Sequence, residues 1–117
     1  KDEDRKVFAE YHVEDNAYET VIAIRSNARV EYSEKILSNP SRLVITFKDT
    51  VISALPAYES VEKGAILSFK TIHAPMVLPS AYSKEWNKIL SIILELDSER
   101  EYKIESDENI FKIVIKK

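Results

Sequence analysis

Tyr102-Lys103-Ile104-Glu105-Ser106-Asp107-Glu108-Asn109-Ile110-Phe111-Lys112-Ile113-Val114-Ile115-Lys116 consists of two alternating runs hinged on a polar tetrad. Phe111, Ile113 and Ile115 alternate with Lys112, Val114 and Lys116, while Tyr102 and Ile104 alternate with Lys103 and Glu105. Successive side chains of an extended chain point to opposite faces. One face of each run is therefore apolar and the other carries charge, the pattern of antiparallel strands with one solvated side. Between them, Asp107 and Asn109 belong to the residue types whose side chains stabilise tight turns. The stretch predicts a β-hairpin.

The same rhythm extends through the rest of the chain. Ile22 and Ile24 share a face within 18–26, opposite Val21 and Ala23. Val30, Tyr32 and Ile36 share a face within 30–37, and Leu43, Ile45 and Phe47 point inward from 42–48. Asn39-Pro40-Ser41 separates these two runs, because proline has no backbone donor for a ladder. Residues 66–73 form a further strand entered through Gly64, and 7–13 a weaker one. One segment fits two periods. Trp86, Ile89, Leu90, Ile93 and Leu94 fall at helical spacing with Ser83 placed to cap, yet Leu90, Ile92, Leu94 and Leu96 make an unbroken period-two face. The surrounding sequence favours the strand. Residues 74–82 hold Pro75 and Pro79 and read as a long excursion between strands. The expected fold is all-β, an antiparallel β-sandwich or partly closed barrel of six to eight short strands, and one domain over 1–117.

Composition narrows the function. With 44% hydrophobic and 32% charged residues the chain has a globular balance. Its 17 basic and 20 acidic residues leave a net charge of −3, with no basic stripe, which argues against a nucleic-acid partner. The absence of cysteine removes disulfide and thiolate chemistry. Gly64 is the single glycine, so the glycine-rich loops that cradle phosphates are missing. No apolar run approaches the roughly 20 residues of a spanning helix, and no membrane insertion by this domain is expected. The chain opens on Lys1-Asp2-Glu3-Asp4 and is read as a piece of a longer protein.

The run Leu37-Ser38-Asn39-Pro40-Ser41-Arg42-Leu43-Val44-Ile45-Thr46-Phe47 resembles the hallmark of the AMIN domain, in which an Asn-Pro-x-Arg-Leu turn enters a hydrophobic strand. Gly64-Ala65-Ile66-Leu67-Ser68-Phe69-Lys70 is similar to that family's glycine-led strand, and residues 89–96, 102–104 and 109–115 follow its closing strands in order. The resemblance covers about residues 18–115. It departs at Thr46, where the family carries an acidic residue, at Lys88, where it carries arginine, and in a longer excursion before Trp86. AMIN domains occur in periplasmic N-acetylmuramoyl-L-alanine amidases and in type IV pilus secretins. The resemblance implies a β-sandwich that binds peptidoglycan and holds its parent protein at the cell wall, in the periplasm, with catalysis elsewhere and no cofactor. A protein-interaction module of a pilus or secretion assembly, docking by an exposed sheet edge, is the alternative.

Individual residues sharpen these expectations. Arg42 follows the proline turn, beside Asn39, and its planar fork of donors suits a wall-peptide carboxylate. A structural role, tying down the loop's own carbonyls or pairing with a neighbouring strand's acid, is ranked ahead of that. Tyr82, Trp86 and Tyr58 are candidate platforms for a sugar face, Tyr58 from the Pro56-Ala57-Tyr58 loop. For Trp86 a lid over the core is favoured; for Tyr82 neither reading is. His12 and His73 are too few for a zinc site, and no metal is expected. Glu95, Asp97, Glu99 and Glu101 surround a turn and read as solvated charge, so no catalytic residue is assigned.

Overall fold

The computed structural model describes residues 6–48, 51–76 and 87–117. Ten strands occur among them: β1 (Lys6–Asp15), β2 (Glu19–Ser26), β3 (Tyr32–Leu37), β4 (Arg42–Phe47), β5 (Val51–Ser53), β6 (Tyr58–Lys63), β7 (Ile66–Met76), β8 (Asn87–Leu96), β9 (Tyr102–Ser106) and β10 (Ile110–Lys116). They form two five-stranded sheets, ordered β5-β1-β2-β10-β9 and β3-β4-β8-β7-β6. All pairings are antiparallel except that of β1 with β5. The sandwich expected from alternation is the fold, and the sheets do not close into a barrel.

The hairpin that opened the sequence reading is β9–β10, with Phe111 opposite Ser106 and the Asp107 N–H donating to the Ile110 carbonyl at 2.8 Å. β10 also pairs with β2, so the C-terminal hairpin forms one side of its sheet, with β10 inside and β9 at the edge. The ambiguous segment is a strand from Asn87 to Leu96, and Leu90, Ile92, Leu94 and Leu96 are buried. β8 lies between β4 and β7, where ladders on both sides satisfy its backbone over residues 91–95 and the period-two set meets the core. Ser83 and Trp86 lie outside the described residues.

Three boundaries differ from the sequence reading. β7 continues through Ala74, Pro75 and Met76, paired with residues 87–89, where an irregular excursion was expected. Beyond Thr71 that strand has no described pairing on its β6 side, and proline is compatible with a strand whose other side carries no ladder. β5 and β6 were not foreseen, because three residues and a charged, bulged strand leave little alternation to read. Tyr58 accordingly opens β6 and is not a loop residue.

The core fills the space between the sheets. Phe8, Phe47 and Phe111 meet with ring centroids 4.9, 5.0 and 6.1 Å apart, and Tyr32 sits edge-on to Phe111 at 5.2 Å. Each fully buried ring or aliphatic side chain is worth about 1.5–3 kcal/mol of transfer free energy. Tyrosine–glutamate hydrogen bonds join the sheets at both lateral margins: Tyr102 of β9 donates to Glu34 of β3 at 2.6 Å, and Tyr11 of β1 donates to Glu59 of β6. At one end of the sandwich the buried Thr20 hydroxyl donates to Asp15 at 2.9 Å and accepts the Ala65 N–H at 3.0 Å. Gly64 takes φ +59° there, and a Cβ at that position would collide with the Asp15 carboxylate and the Thr20 hydroxyl. Lys117 closes the cluster on Asp15 at 2.9 Å.

Candidate functional site

The β3–β4 turn explains its own residues. Asn39 has φ 59° and precedes a cis peptide to Pro40; asparagine is among the few side chains that tolerate the left-handed region. Arg42 opens β4, and its Nε donates to the Pro40 carbonyl at 3.2 Å. The guanidinium makes no other hydrogen bond or ion pair among the described residues. The turn-tying role ranked first for Arg42 is therefore present, and its two terminal nitrogens remain available at the surface.

Strand register places Arg42 and Tyr58 on one surface. Leu43, Ile45 and Phe47 point into the core, so Arg42, Val44 and Thr46 point out. Following the pairings from strand to strand gives three rows across the outer face of this sheet. One runs Ser33, Thr46, Ser91, Ile72; the next Lys35, Val44, Ile93, Lys70, Tyr58; the third Leu37, Arg42, Glu95, Ser68, Ser60. A row of five strands spans about 19 Å at the usual strand spacing. Tyr58 is 63% exposed at its margin. Thr46 and Ser91 hydroxyls share a hydrogen bond at 3.1 Å, and Glu95 accepts from Ser68 at 3.3 Å. Tyr82 and Trp86, the other proposed platforms, fall outside the described residues.

The outer face of the other sheet has a different chemistry. Arg25 pairs with Glu10 at 2.7 Å, and Glu105 is reached by Lys103 at 3.4 Å and by Lys112 at 3.9 Å. Its arginine and lysines are thus ion-paired, within a strand or across neighbouring ones, while Glu14 and Glu19 have no ion pair among the described residues. By contrast Lys35 and Lys70, on the first face, have no ion pair among the described residues. Two hollows lined by described residues are open to solvent: one of about 400 Å³ at the β9–β10 turn, between Arg29, Asp107, Glu108, Asn109 and Ile110, and one of about 230 Å³ on the charged face, between Glu10, His12, Ala23, Arg25 and Ile110.

Of the acidic residues around the β8–β9 turn, Glu95, Asp97 and Glu101 have partners and Glu99 has none among the described residues. Arg100 donates to Asp97 from Nε at 2.7 Å and from an Nη at 2.9 Å, and these bonds hold the Asp97 carboxyl below its ordinary range. Glu101 reaches Lys116 at 3.8 Å. Asp15 is likewise lowered, first by the Lys117 ammonium and then by Thr20. Burial, followed by the neighbouring Glu34 carboxylate, pushes the Tyr102 hydroxyl up to about 12, and burial with Glu59 raises Tyr11. His12 and His73 sit exposed on strands of different sheets, and no group of three or more His, Cys, Asp or Glu among the described residues could hold a metal ion.

Compared with known proteins, the chain matches no protein-family profile, no curated sequence and no solved structure. Four surface residues escaped the sequence reading: Lys35, Lys70, Ser91 and Thr46. Their outward direction is legible in the alternation of each strand, but their adjacency depends on strand order and register, which no local pattern encodes.

Proposed function

We propose that this chain is a non-catalytic module of a bacterial envelope protein, an amidase or a pilus or secretion secretin, and that it binds peptidoglycan in the periplasm. The outer face of the β3-β4-β8-β7-β6 sheet is the binding surface. The observation that carries this reading is the contrast between the two outer faces: one has its arginine and lysines joined in ion pairs, the other offers an exposed tyrosine, a hydroxyl row and cations with no ion pair among the described residues. The resemblance of the Asn39-Pro40-Ser41-Arg42-Leu43 turn to the AMIN hallmark supports the same conclusion. One sugar ring lays its apolar side on Tyr58; Thr46 and Ser91, two to three strands away, meet hydroxyls of another sugar of the same glycan, and Lys35, Lys70 and the free side of Arg42 attract carboxylates of the wall peptides.

The isolated chain should co-sediment with purified sacculi, while an unrelated β-sandwich of similar charge stays in solution. Tyr58→Ala should weaken binding about two- to tenfold, the value of one aromatic contact. A folded chain that stays in the supernatant at every salt concentration removes the reading. Undiminished binding by Tyr58→Ala removes the face. Capture of an envelope protein with no sacculus binding would favour the interaction-module alternative.

A further inference from the structure

Edge strands carry unpaired backbone groups, and folded proteins shield them by shortness, bulges, charge or cover. Among the described residues four strands bound the two sheets, and three of them are shielded by more than charge. β5 has three residues. β6 breaks register between Ser60 and Lys63, with Glu62 at φ 46°. β9 is crossed at one end by the link from β2 to β3, where Ser106 donates to the Val30 carbonyl at 3.4 Å and Arg29 approaches Asp107 at 3.8 Å. β3 differs. Its six residues pair with β4 in unbroken register, and its shielding is limited to the charges of Glu34 and Lys35 and the Tyr102 hydroxyl that reaches Glu34.

The direction of its free groups follows from one hydrogen bond. The Lys48 N–H donates to the Glu31 carbonyl at 2.9 Å, so residues 31, 33, 35 and 37 turn their backbone groups toward β4. Tyr32, Glu34 and Ile36 turn theirs away, and these have no backbone partner among the described residues. Three N–H and three C=O groups therefore point outward along one side. Ile36 is also 38% exposed beside them.

We propose that this edge of β3 is a docking site for an extended segment of another polypeptide, which adds antiparallel as a sixth strand and places an acidic side chain opposite Lys35. A second copy of the chain is disfavoured as the occupant. Pairing β3 with itself about a twofold axis, in either register that uses the length of the strand, sets Glu34 against Glu34 or Lys35 against Lys35, and like charges directly opposite destabilise a pair. An unlike segment avoids both clashes. Lys35, on the solvent side and without an ion pair among the described residues, selects for acid, and an apolar residue opposite Ile36 covers it. Backbone bonds then supply affinity while alternate side chains supply selectivity. The inference does not require sacculus binding, although both draw on Lys35; the edge amides serve the docked strand alone.

The probe is an octapeptide alternating valine with threonine, with one central threonine replaced by glutamate. It is compared with a lysine version and with a copy N-methylated at alternate residues. Amide exchange is followed on the isotope-labelled chain by nuclear magnetic resonance. The amides of Tyr32, Glu34 and Ile36 should exchange fast in the chain alone and become protected by the glutamate peptide. The lysine peptide should bind about two- to fivefold more weakly, Lys35→Glu should reverse that preference, and the methylated copy should not bind. Protection of those three amides in the chain alone overturns the proposal. So does protection that appears instead on Tyr102, Ile104 and Ser106, equal binding of the methylated copy, or no protection by any of the peptides.

Discussion

Gly64 is the residue whose identity the fold constrains most visibly. A left-handed backbone costs a residue with a Cβ about 1–2 kcal/mol, and here the added carbon would also displace the Asp15–Thr20 bond that meets the buried Ala65 N–H. Gly64→Ala should therefore lose more than about 2 kcal/mol, read as a lowered urea midpoint with an unchanged slope. A variant as stable as the parent would show that the turn does not take this conformation. Asn39 occupies a comparable left-handed position, which asparagine tolerates without glycine's freedom. The sequence motif at 39–43 is thus explained residue by residue: Asn39 supplies the backbone angle, Arg42 holds the Pro40 carbonyl, and Leu43 enters the core.

At the scale of elements, β8 tests the register on which both outer faces depend. Ile92 is fully buried and its neighbour Ile93 lies on the outer face, half-buried. Ile92→Ala should cost about 2–5 kcal/mol, and Ile93→Ala roughly 1 kcal/mol, both measured by chemical denaturation. Equal costs, or a reversed order, would mean that the strand is slipped by one residue. Alternation made most strands legible because a half-buried strand must separate apolar from polar side chains every second residue. It failed for β5, which has only three residues, for β6, whose side chains are mostly exposed, and for residues 74–76, where prolines mask a strand with one unladdered side. The candidate site was legible only in pieces. Arg42 and Asn39 could be found from a local turn; their relation to Tyr58, Lys35 and Lys70 arises from four strand pairings that join segments far apart in sequence.

Across the whole molecule, ionisable groups bound the range of pH in which the sandwich is most stable. Asp15 and Asp97 have folded pKa values below their unfolded ones, so their contribution is present above pH about 4 and is lost as pH falls through the folded values. Tyr102 is raised to about 12, so its contribution is complete below pH about 10 and is lost as pH rises toward the folded value. Stability plotted against pH should form a plateau, and Tyr102→Phe should flatten its alkaline shoulder while leaving the acid limb unchanged. An unaltered shoulder would separate the Tyr102–Glu34 margin from alkaline unfolding. The strand order carries one more consequence. β10, the last of the ten strands along the chain, is inserted between β2 and β9, and its Ile115 lies opposite Thr20. During synthesis β2 emerges long before its neighbour exists, so its ladder on that side stays open until residues 110–116 have left the ribosome. The sheet is completed by its latest-made piece, and a chain stalled before that point exposes the phenylalanine-rich interior to chaperones and proteases.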